Sequence, residues 1–344
     1  MSQDFRMLGM LDEVSQLINN EVSYQSLESS VVTITGASGM VGLNLVAALV
    51  YYNKTHAKRQ IKINAISFSK PSGISLDLFS HSSVNIFFGD ITDYEFMSTI
   101  PSSDFIIHSA GYAQPAKFMD NKLKTISINT TSTIDLMSKL KANGSFLFIS
   151  SSEVYSGCSR PNNTESDIGN TDPSHPRACY IESKRTGETI INIARKNGVK
   201  AASARLALAY GPGVKIHDTR AMNQLINNGI EGEINLLDSG NAIRTYCYIS
   251  DVVISLSNIL IKNKHSVYNV GGISTTSIKD LALSIGEKLS APVNIPDNKK
   301  FLSGAPTAVG LNLSRIEDEY GHKDYVGLDY GLTKTIDWIR LCNE

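Results

Sequence analysis

The stretch Val31-Val32-Thr33-Ile34-Thr35-Gly36-Ala37-Ser38-Gly39-Met40-Val41-Gly42 decides the fold of this chain. Its first five residues have the composition of a buried strand, and the apolar run from Leu43 to Val50 indicates a helix. Glycines three residues apart in the intervening turn allow a diphosphate to lie against the backbone, and the helix start offers free N–H groups. This arrangement predicts a dinucleotide-binding site. The residues expected to hold the dinucleotide here are Gly36, Ser38, Gly39, Met40, Val41 and Gly42.

The composition limits the class of protein and its partners. The chain has 344 residues, of which 42% are hydrophobic and 19% charged, enough for one large domain and a smaller one. Its 32 basic and 33 acidic residues give a formal charge of -1, which argues against a nucleic-acid partner or a polybasic membrane patch. Four scattered cysteines and seven histidines without ligand spacing predict free thiols in a reducing compartment and no metal site.

No targeting or membrane segment is expected. The N-terminus carries charged residues between Asp4 and Glu13 and lacks the continuous apolar core of a secretory signal. The longest apolar run, from Leu43 to Tyr52, is too short to span a bilayer. We therefore predict a soluble cytoplasmic protein with no membrane partner.

Strand-like and helical runs alternate after the opening motif. The strand-like runs are 61–68, 84–88, 105–108, 145–149 and 201–209, and the helical runs are 121–141 and 178–196. Such alternation predicts right-handed crossovers and a doubly wound parallel sheet of an α/β protein. After Gly211 the alternation becomes less regular, and residues 246–250 lead into a helix at 252–262. We expect a smaller C-terminal substrate lobe, part of which returns to the main sheet.

The predicted domains are an N-terminal helical extension at 1–30, a dinucleotide-binding domain at 31–210 with 250–272 returning to it, and a substrate-binding lobe at 211–249 and 273–344. Apolar residues of the extension fall on one helical face, so we expect it to pack on the outside of the core. A role in dimer contacts is not favoured by the sequence. The residues of that face are Met7, Met10, Leu11, Val14, Leu17 and Ile18.

The end of the second strand lacks the usual ribose ligand. A carboxylate near this point normally receives the ribose hydroxyls of NAD, but the chain has Ser67, Ser69 and Lys70. Either NAD is bound without that carboxylate, with Ser69 and Lys70 beside the cofactor, or Lys70 allows NADP to bind. It is equally compatible with the sequence that Lys70 is only a solvated charge in a loop. After the third strand, Asp90 stands where it could accept from the adenine amino group, next to Ile91.

Tyr180 and Lys184 form a Y-x-x-x-K pair within a helical stretch. Residues four apart lie on one helical face, so the phenol and the ammonium are neighbours. A free tyrosine has a pKa of about 10, and a nearby Lys⁺, together with a positive nicotinamide ring, favours the phenolate. Tyr180 could then take the proton of a sugar hydroxyl as a general base. Tyr180 and Lys184 are also expected to contact the cofactor.

Hydroxyls and one carboxylate follow the strand that ends near Ile149. Ser151, Ser152 and Glu153 stand at the carboxyl end of a parallel strand, where doubly wound sheets bind ligands. Ser151 could hydrogen-bond the reacting hydroxyl. A plain serine-rich turn is the alternative, which the presence of Glu153 makes less attractive.

Together these motifs resemble an extended short-chain dehydrogenase/reductase acting on nucleotide sugars. The resemblance begins near Ser30, and it implies a Rossmann fold, NAD as cofactor and a nucleotide-sugar substrate. It also implies that Asn129 supports the catalytic helix and that Ser109, Ala110 and Gly111 line the nicotinamide channel. The motifs that carry it are Gly36/Gly39/Gly42, Gly89-Asp90, His108-Ser109-Ala110-Gly111, Asn129, Ser150 to Tyr155, Tyr180/Lys184 and Tyr210-Gly211-Pro212.

The stretch Pro176 to Arg185 resembles that of UDP-glucuronate decarboxylases in particular, as do Asp218 to Asn223 and Arg244-Thr245-Tyr246. By this resemblance Tyr180 serves the transient oxidation of the sugar at C4 by NAD⁺, the β-keto acid loses CO₂, and the hydride returns. Arg220 and Arg244 then lie near the diphosphate or ribose, since the planar fork of arginine suits phosphate oxygens. The substrate-binding residues that it implies are Ser152, Arg177, Arg220, Asn223 and Arg244, and the catalytic ones are Tyr180, Lys184, Ser151, Glu153 and Asn129.

Other activities stay open. The 4,6-dehydratases of the superfamily that the chain resembles have Thr-Asp-Glu at the positions of residues 151–153. Ser152 stands in place of that Asp, which argues against dehydration. Epimerases usually lack the Glu. Leu208 replaces an Asn that usually reaches the substrate, which leaves a 4-epimerase, dehydratase or reductase of another NDP-hexose as an alternative. A non-catalytic NAD(P)-binding protein is a third possibility, against which the intact Tyr180/Lys184 pair argues. Relatives often dimerise through two long helices, here 121–141 and 178–196, so a homodimer is expected.

Overall fold

A parallel sheet of seven strands forms the centre of the structure, a computed structural model that describes residues 3–158, 160, 162–296 and 310–344. The strands in chain order are β1 (Val31–Thr35), β2 (Lys62–Ser67), β3 (Val84–Phe88), β4 (Ser103–His108), β5 (Leu140–Ser151), β6 (Asn162–Asn163), β7 (Lys200–Leu206), β8 (Leu208–Tyr210), β9 (Ile234–Asn235), β10 (Ile243–Tyr248), β11 (Val267–Val270), β12 (Ser274–Ser277), β13 (Val293–Asn294) and β14 (Gly310–Leu311).

Helices cover both faces of this sheet and build much of the rest of the chain. In chain order they are α1 (Gln3–Glu21), α2 (Met40–Thr55), α3 (Ile74–Phe79), α4 (Tyr94–Thr99), α5 (Pro115–Asp120), α6 (Lys122–Asn129), α7 (Thr131–Ser138), α8 (Ala178–Lys196), α9 (Ala221–Glu231), α10 (Ile249–Lys262), α11 (Ile278–Leu289), α12 (Ser314–Tyr320) and α13 (Leu328–Asn343). In the described ranges no helix is both long and apolar enough to cross a bilayer.

The order of the large sheet is β11-β7-β5-β4-β1-β2-β3, and every pairing in it is parallel. The strand order reverses between β1 and β4, and doubly wound sheets bind their ligands in the crevice at such a point. The predicted fold class is confirmed. Because parallel strands present their carboxyl ends along one edge, the turns after β1, β2, β4 and β5 meet there.

Three small sheets lie outside the large one. One has the order β12-β10-β8, and the pairs β13-β9 and β14-β6 form the others. Strand β11 pairs with β7 in the large sheet, and α10 packs on β5, β7 and β11. The small sheet with β8 and β10 is therefore connected to the large one through α10. The division of the chain into domains stays a prediction.

Two predicted elements are wrong in their extent. The single helix expected at 121–141 is α6 and α7, separated at Thr130, and β5 already begins at Leu140, where it pairs with Ser103 of β4. Apolar periodicity continues through Thr130, so the sequence pattern does not reveal the break. The strand expected at 201–209 divides at Ala207, because β7 stays in the large sheet whereas β8 pairs with β10.

The N-terminal helix α1 packs on α2, α3, α10 and α13, as expected for an addition to the outside of the core. Met7, Leu11, Val14 and Ile18 are buried. Leu17 was expected on the same face, but it is 37% exposed, so the buried face of α1 is narrower than the apolar stripe of the sequence.

Replacing Leu11 with Ala is expected to lower the free energy of unfolding by about 2–5 kcal/mol, because the side chain is 1% exposed and its removal leaves a cavity. Urea unfolding of the purified protein measures the loss. The matched control is Leu17→Ala on the same helix, expected to change stability by no more than about 0.5 kcal/mol. Equal losses in the two variants would contradict this packing of α1.

Candidate active site

The glycine turn after β1 lies against the segment that follows β4. Gly36 has a φ of +66°, and a Cβ at this position would lie 2.8 Å from the Cα of Ala110. A Cβ at Gly42 would lie 2.3 Å from the carbonyl oxygen of Gly36. The turn therefore has no room for side chains at these two positions. The predicted cofactor residues from Gly36 to Gly42 stand in this turn and in the first turn of α2, which begins at Met40.

Two hydrogen bonds fix the segment after β4 to the end of β1. The hydroxyl of Ser109 donates to the Thr35 carbonyl at 2.8 Å, and the N–H of Ala110 donates to the Thr35 hydroxyl at 3.1 Å. Ser109, Ala110 and Gly111 thus lie beside the glycine turn, at the point where the strand order reverses. The structure brings together these two predicted parts of a cofactor site.

His108, at the end of β4, ties the same edge to α6. Its Nε2 lies 2.9 Å from the Ile128 carbonyl, which can only accept, so its Nδ1 accepts from the Thr35 hydroxyl at 2.8 Å. Burial lowers the pKa of His108 to about 4, and the imidazole is therefore neutral near pH 7.

The ends of β2 and β3 form the other side of the crevice. The buried Ser67 hydroxyl has no hydrogen-bond partner in the described part of the chain, so it is free to receive a polar group of a ligand. Ser69 and Lys70 follow it and are exposed. Asp90 is ion-paired with Lys124 and accepts from the Thr92 hydroxyl at 2.7 Å. The predicted contact of Asp90 with adenine stays a prediction, and Ile91 beside it is buried.

The side chains of Tyr180 and Lys184 lie on the buried face of α8, as the spacing predicts. The Lys184 Nζ donates to the Ile149 carbonyl at 2.6 Å and lies 5.8 Å from the centroid of the Tyr180 ring. The Tyr180 ring stacks on Phe118 of α5 at a centroid distance of 4.6 Å and an angle of 12°. Phe118 was not predicted, because no local pattern relates a short helix at 115–120 to a residue on α8.

Burial shifts the pKa values of both Tyr180 and Lys184. Burial raises the pKa of Tyr180, although the neighbouring Ser151 hydroxyl lowers it. Burial also lowers the pKa of Lys184 to about 7, which the carboxylate of Glu188 opposes. The expected phenolate also depended on a positive nicotinamide ring, and without a cofactor burial has the largest effect on both side chains. A further positive charge, such as that of a nicotinamide ring, is required to favour the phenolate.

Asn129, at the end of α6, contacts α8 directly. Its Nδ2 donates to the Ser183 hydroxyl at 2.9 Å and to the Thr125 carbonyl at 3.0 Å. Its Oδ1 is buried without a partner in the described residues. A Cβ at Gly111 would lie 4.0 Å from this Oδ1 and 3.9 Å from the Lys184 Nζ, so both atoms approach the crevice at one point.

Glu153 forms an ion pair with Arg177 beside Tyr180. The Arg177 Nη2 lies 2.7 Å from Glu153 Oε1, and the guanidinium carbon lies 5.6 Å from the Phe118 ring centroid. Ser151 accepts from the Glu153 N–H at 3.2 Å, which fixes the turn that follows β5. Ser152 begins the short 3-10 turn that carries Glu153. The sequence analysis identified Ser151, Ser152, Glu153 and Arg177 as site residues, but it did not predict the ion pair between Glu153 and Arg177.

The other predicted substrate residues lie at the start of α9, for Arg220 and Asn223, and on β10, for Arg244. Arg220 pairs with Asp218, with Nη2 to Oδ2 at 2.7 Å, and Asn223 also approaches Asp218. Burial lowers the pKa of Arg244, and the charges of Glu153 and Arg177 also influence it. Arg244 therefore lies close to the Glu153–Arg177 pair. Arg220 likewise lies near enough to Tyr180 to influence its pKa.

Comparison with known proteins agrees with this arrangement. The model of the NAD dependent epimerase/dehydratase family matches residues 32–271. UDP-glucuronic acid decarboxylase 6 of Arabidopsis thaliana is 28% identical over 319 residues, which are 90% of this chain and 89% of that protein. UDP-glucuronic acid decarboxylase 1 of Xenopus tropicalis is 32% identical over 243 residues, which are 69% of this chain and 57% of that longer protein.

A solved structure shows the same fold. An epimerase from Methanothermobacter thermautotrophicus superposes with a TM-score of 0.79 at 18% identity, covering 94% of this chain and 95% of that one. The glycine turn without room for side chains and the unpartnered Ser67 hydroxyl fit a bound dinucleotide. The chain is therefore an NAD-dependent enzyme of the NAD dependent epimerase/dehydratase family, and its expected cofactor, NAD, is confirmed.

Proposed function

We propose that the protein decarboxylates a nucleotide-linked uronic acid, with UDP-glucuronate as the first candidate substrate. The observation that carries the proposal is the turn after β5, which holds one carboxylate, Glu153, ion-paired with Arg177 at 2.7 Å beside Tyr180. Ser152 provides no acid for the elimination of water. The relatives named UDP-glucuronic acid decarboxylases support the same substrate class.

The roles of the side chains follow from their positions. Tyr180 takes the proton of the C4 hydroxyl, and Ser151 beside it orients that hydroxyl. Bound NAD supplies the acceptor for the hydride of C4. Lys184 stabilises the phenolate from one helical turn away, and Asn129 fixes α8 through Ser183. Glu153, near enough to Tyr180 to influence its pKa, orients the sugar ring.

The charge of the crevice favours an acidic ligand. Arg177, Arg220 and Arg244 lie near Tyr180 and Glu153, with Arg177 paired to Glu153 and Arg220 paired to Asp218. Three guanidinium groups against two carboxylates leave a net positive charge. Planar guanidinium groups bind carboxylates and phosphates in a bidentate manner. A uronate with a diphosphate provides acidic groups of this kind.

A single assay tests the proposed reaction. Purified protein with NAD and UDP-glucuronate is expected to release CO₂ and to yield a UDP-pentose, which mass spectrometry identifies in the same sample. A product of unchanged mass with no CO₂ would favour the alternative 4-epimerase, which has support from Leu208, 36% exposed on β8 where the family pattern has Asn. Binding of NAD without turnover of any sugar in a panel of NDP-sugars would favour the non-catalytic alternative.

Replacing Glu153 with Gln is expected to lower kcat more than it changes KM. The amide keeps the size of the side chain but loses the charge that Arg177 holds, so the sugar is bound but poorly oriented. We expect a loss of about 10²-fold in kcat, measured as initial rates over a range of sugar concentrations. Glu182→Gln, on the partly exposed side of α8, is the control. An unchanged kcat would remove Glu153 from its assigned role.

We also propose that the protein is a homodimer through α6, α7 and α8. These helices expose Leu123, Ile126, Ile134 and Ile193, and clustered exposed apolar side chains mark interaction surfaces. Sedimentation equilibrium is expected to show a dimer for the wild type and a monomer for Leu123→Glu/Ile134→Glu. Leu237→Glu, 80% exposed away from these helices, should stay dimeric. A monomeric wild type would contradict the proposal. A cytoplasmic location stays a prediction.

A further inference from the structure

A buried group of charged residues lies behind the candidate active site, and the proposed reaction does not use it. Arg205 of β7 pairs with Glu188 of α8, with Nη2 to Oε2 at 2.8 Å and Nε to Oε1 at 3.0 Å. The side chains are 5% and 8% exposed, respectively. Arg205 also donates to the Tyr155 hydroxyl at 2.9 Å, and Ser150 donates to Glu188 Oε1 at 2.6 Å.

This group contacts β5 at the residue next to the one that Lys184 contacts. Lys184 donates to the carbonyl of Ile149, and Glu188 accepts from the hydroxyl of Ser150, both at 2.6 Å. Because Lys184 and Glu188 are four residues apart on α8, their side chains leave the helix on one face. The carboxylate therefore stands about one helical turn after the ammonium, and Tyr180 about one turn before it.

The ammonium of Lys184 has few other partners. Among the described residues, the Ile149 carbonyl is the one acceptor that it reaches by a hydrogen bond. The charged and titratable groups that face it are Tyr180 and Glu188 on its own helix and His108 on β4, with Arg205 on β7 behind Glu188. His108 is neutral near pH 7, so Glu188 is the anion of this set.

We propose that Glu188 is a positioning residue that keeps Lys184 protonated, and that Arg205 and Ser150 set how much of its charge acts on the lysine. The proposal rests on the proposed function in so far as Lys184 is the partner of the catalytic Tyr180. Glu188 does not touch the sugar or NAD. It acts by holding a positive charge at the Lys184 Nζ where the burial of that atom works against it.

The charge of Lys184 is measurable without any sugar substrate. A buried lysine has a lower pKa in the folded than in the unfolded chain, so its burial costs stability in full below the folded pKa. That cost disappears as the pH rises toward the unfolded value. The difference in unfolding free energy between a protein and its Lys184→Met variant therefore changes with pH from the folded pKa upward.

The experiment measures this difference in the wild type and in Glu188→Gln/Arg205→Met, which removes both buried charges together so that neither is left unpaired. We expect the difference in unfolding free energy to begin to change at a pH at least about one unit lower in the double variant than in the wild type. Ser150→Ala, which removes one donor from the carboxylate and leaves the ion pair intact, should move it to higher pH. The same onset in all three proteins would overturn the proposal.

A kinetic readout separates positioning from a merely structural role. If the proposed reaction is confirmed, the alkaline limb of the kcat profile should move to lower pH in the double variant. A profile that keeps its shape and loses only amplitude would overturn the proposal. The unfolding measurement needs no sugar substrate, so it tests the role of Glu188 even if the protein does not decarboxylate UDP-glucuronate. A failure of this proposal can therefore be distinguished from a failure of the proposed function.

Discussion

Tyr180→Phe is expected to lower kcat by roughly 10²–10⁴-fold, the contribution of a positioned general base. The change removes only the phenolic oxygen. The ring keeps its stacking on Phe118 at 4.6 Å, so α8 and the crevice should keep their shape. NAD affinity, measured by calorimetric titration, is expected to stay close to that of the wild type.

The control for this substitution is Tyr94→Phe on α4, whose side chain is 81% exposed. It makes the same chemical change outside the crevice and should leave kcat unaltered. If Tyr180→Phe turned over its substrate at the wild-type rate, the phenol would have no part in the reaction. A large loss of NAD affinity would instead assign Tyr180 to cofactor binding.

Gly42→Ala is expected to lower the affinity for NAD by about tenfold to hundredfold, since overpacking a tight contact costs about 1–3 kcal/mol. The new Cβ would lie 2.3 Å from the Gly36 carbonyl oxygen and 2.7 Å from the Ala37 Cα. Both are backbone atoms of the turn, so the first turn of α2 must shift away from it. Calorimetric titration measures the affinity, and a parallel titration with NADP tests whether Lys70 admits the extra phosphate.

Gly9→Ala is the matched control, because a Cβ at this position of α1 meets nothing within 4 Å. It should leave NAD affinity unchanged and stabilise the protein by about 0.5–1 kcal/mol, as removal of glycine from a helix does. An affinity for Gly42→Ala equal to that of the control would show that the turn does not need close packing to bind the cofactor.

Several site residues could be predicted because their relations are local in the chain. The glycine spacing between a strand and a helix indicated the turn at Gly36, and the spacing of Tyr180 and Lys184 put both on one face of α8. The ion pair of Glu153 with Arg177 joins residues 24 positions apart, and nothing in their immediate sequence relates them. The stacking of Phe118 on Tyr180 is of the same kind.

The protonation of the Tyr180–Lys184 pair shows this limit most clearly. From the sequence, the ammonium of Lys184, together with a positive nicotinamide ring, should favour the phenolate of Tyr180, because opposite charges near each other favour ionisation. In the fold both side chains are buried beneath other elements, and desolvation raises the pKa of Tyr180 and lowers that of Lys184. Burial depends on what packs from elsewhere in the chain, which a motif of five residues does not contain.

The sequence alone determined the doubly wound sheet, the glycine turn and the side chains available for chemistry, because periodicity and spacing act over a few neighbouring residues. The tertiary structure decided which of these side chains meet, how far they are removed from water and where helices and strands break, as at Thr130 and Ala207. The physical reason is that contact and desolvation arise between segments distant in the chain, and their energies appear only once the strands are paired and the helices packed.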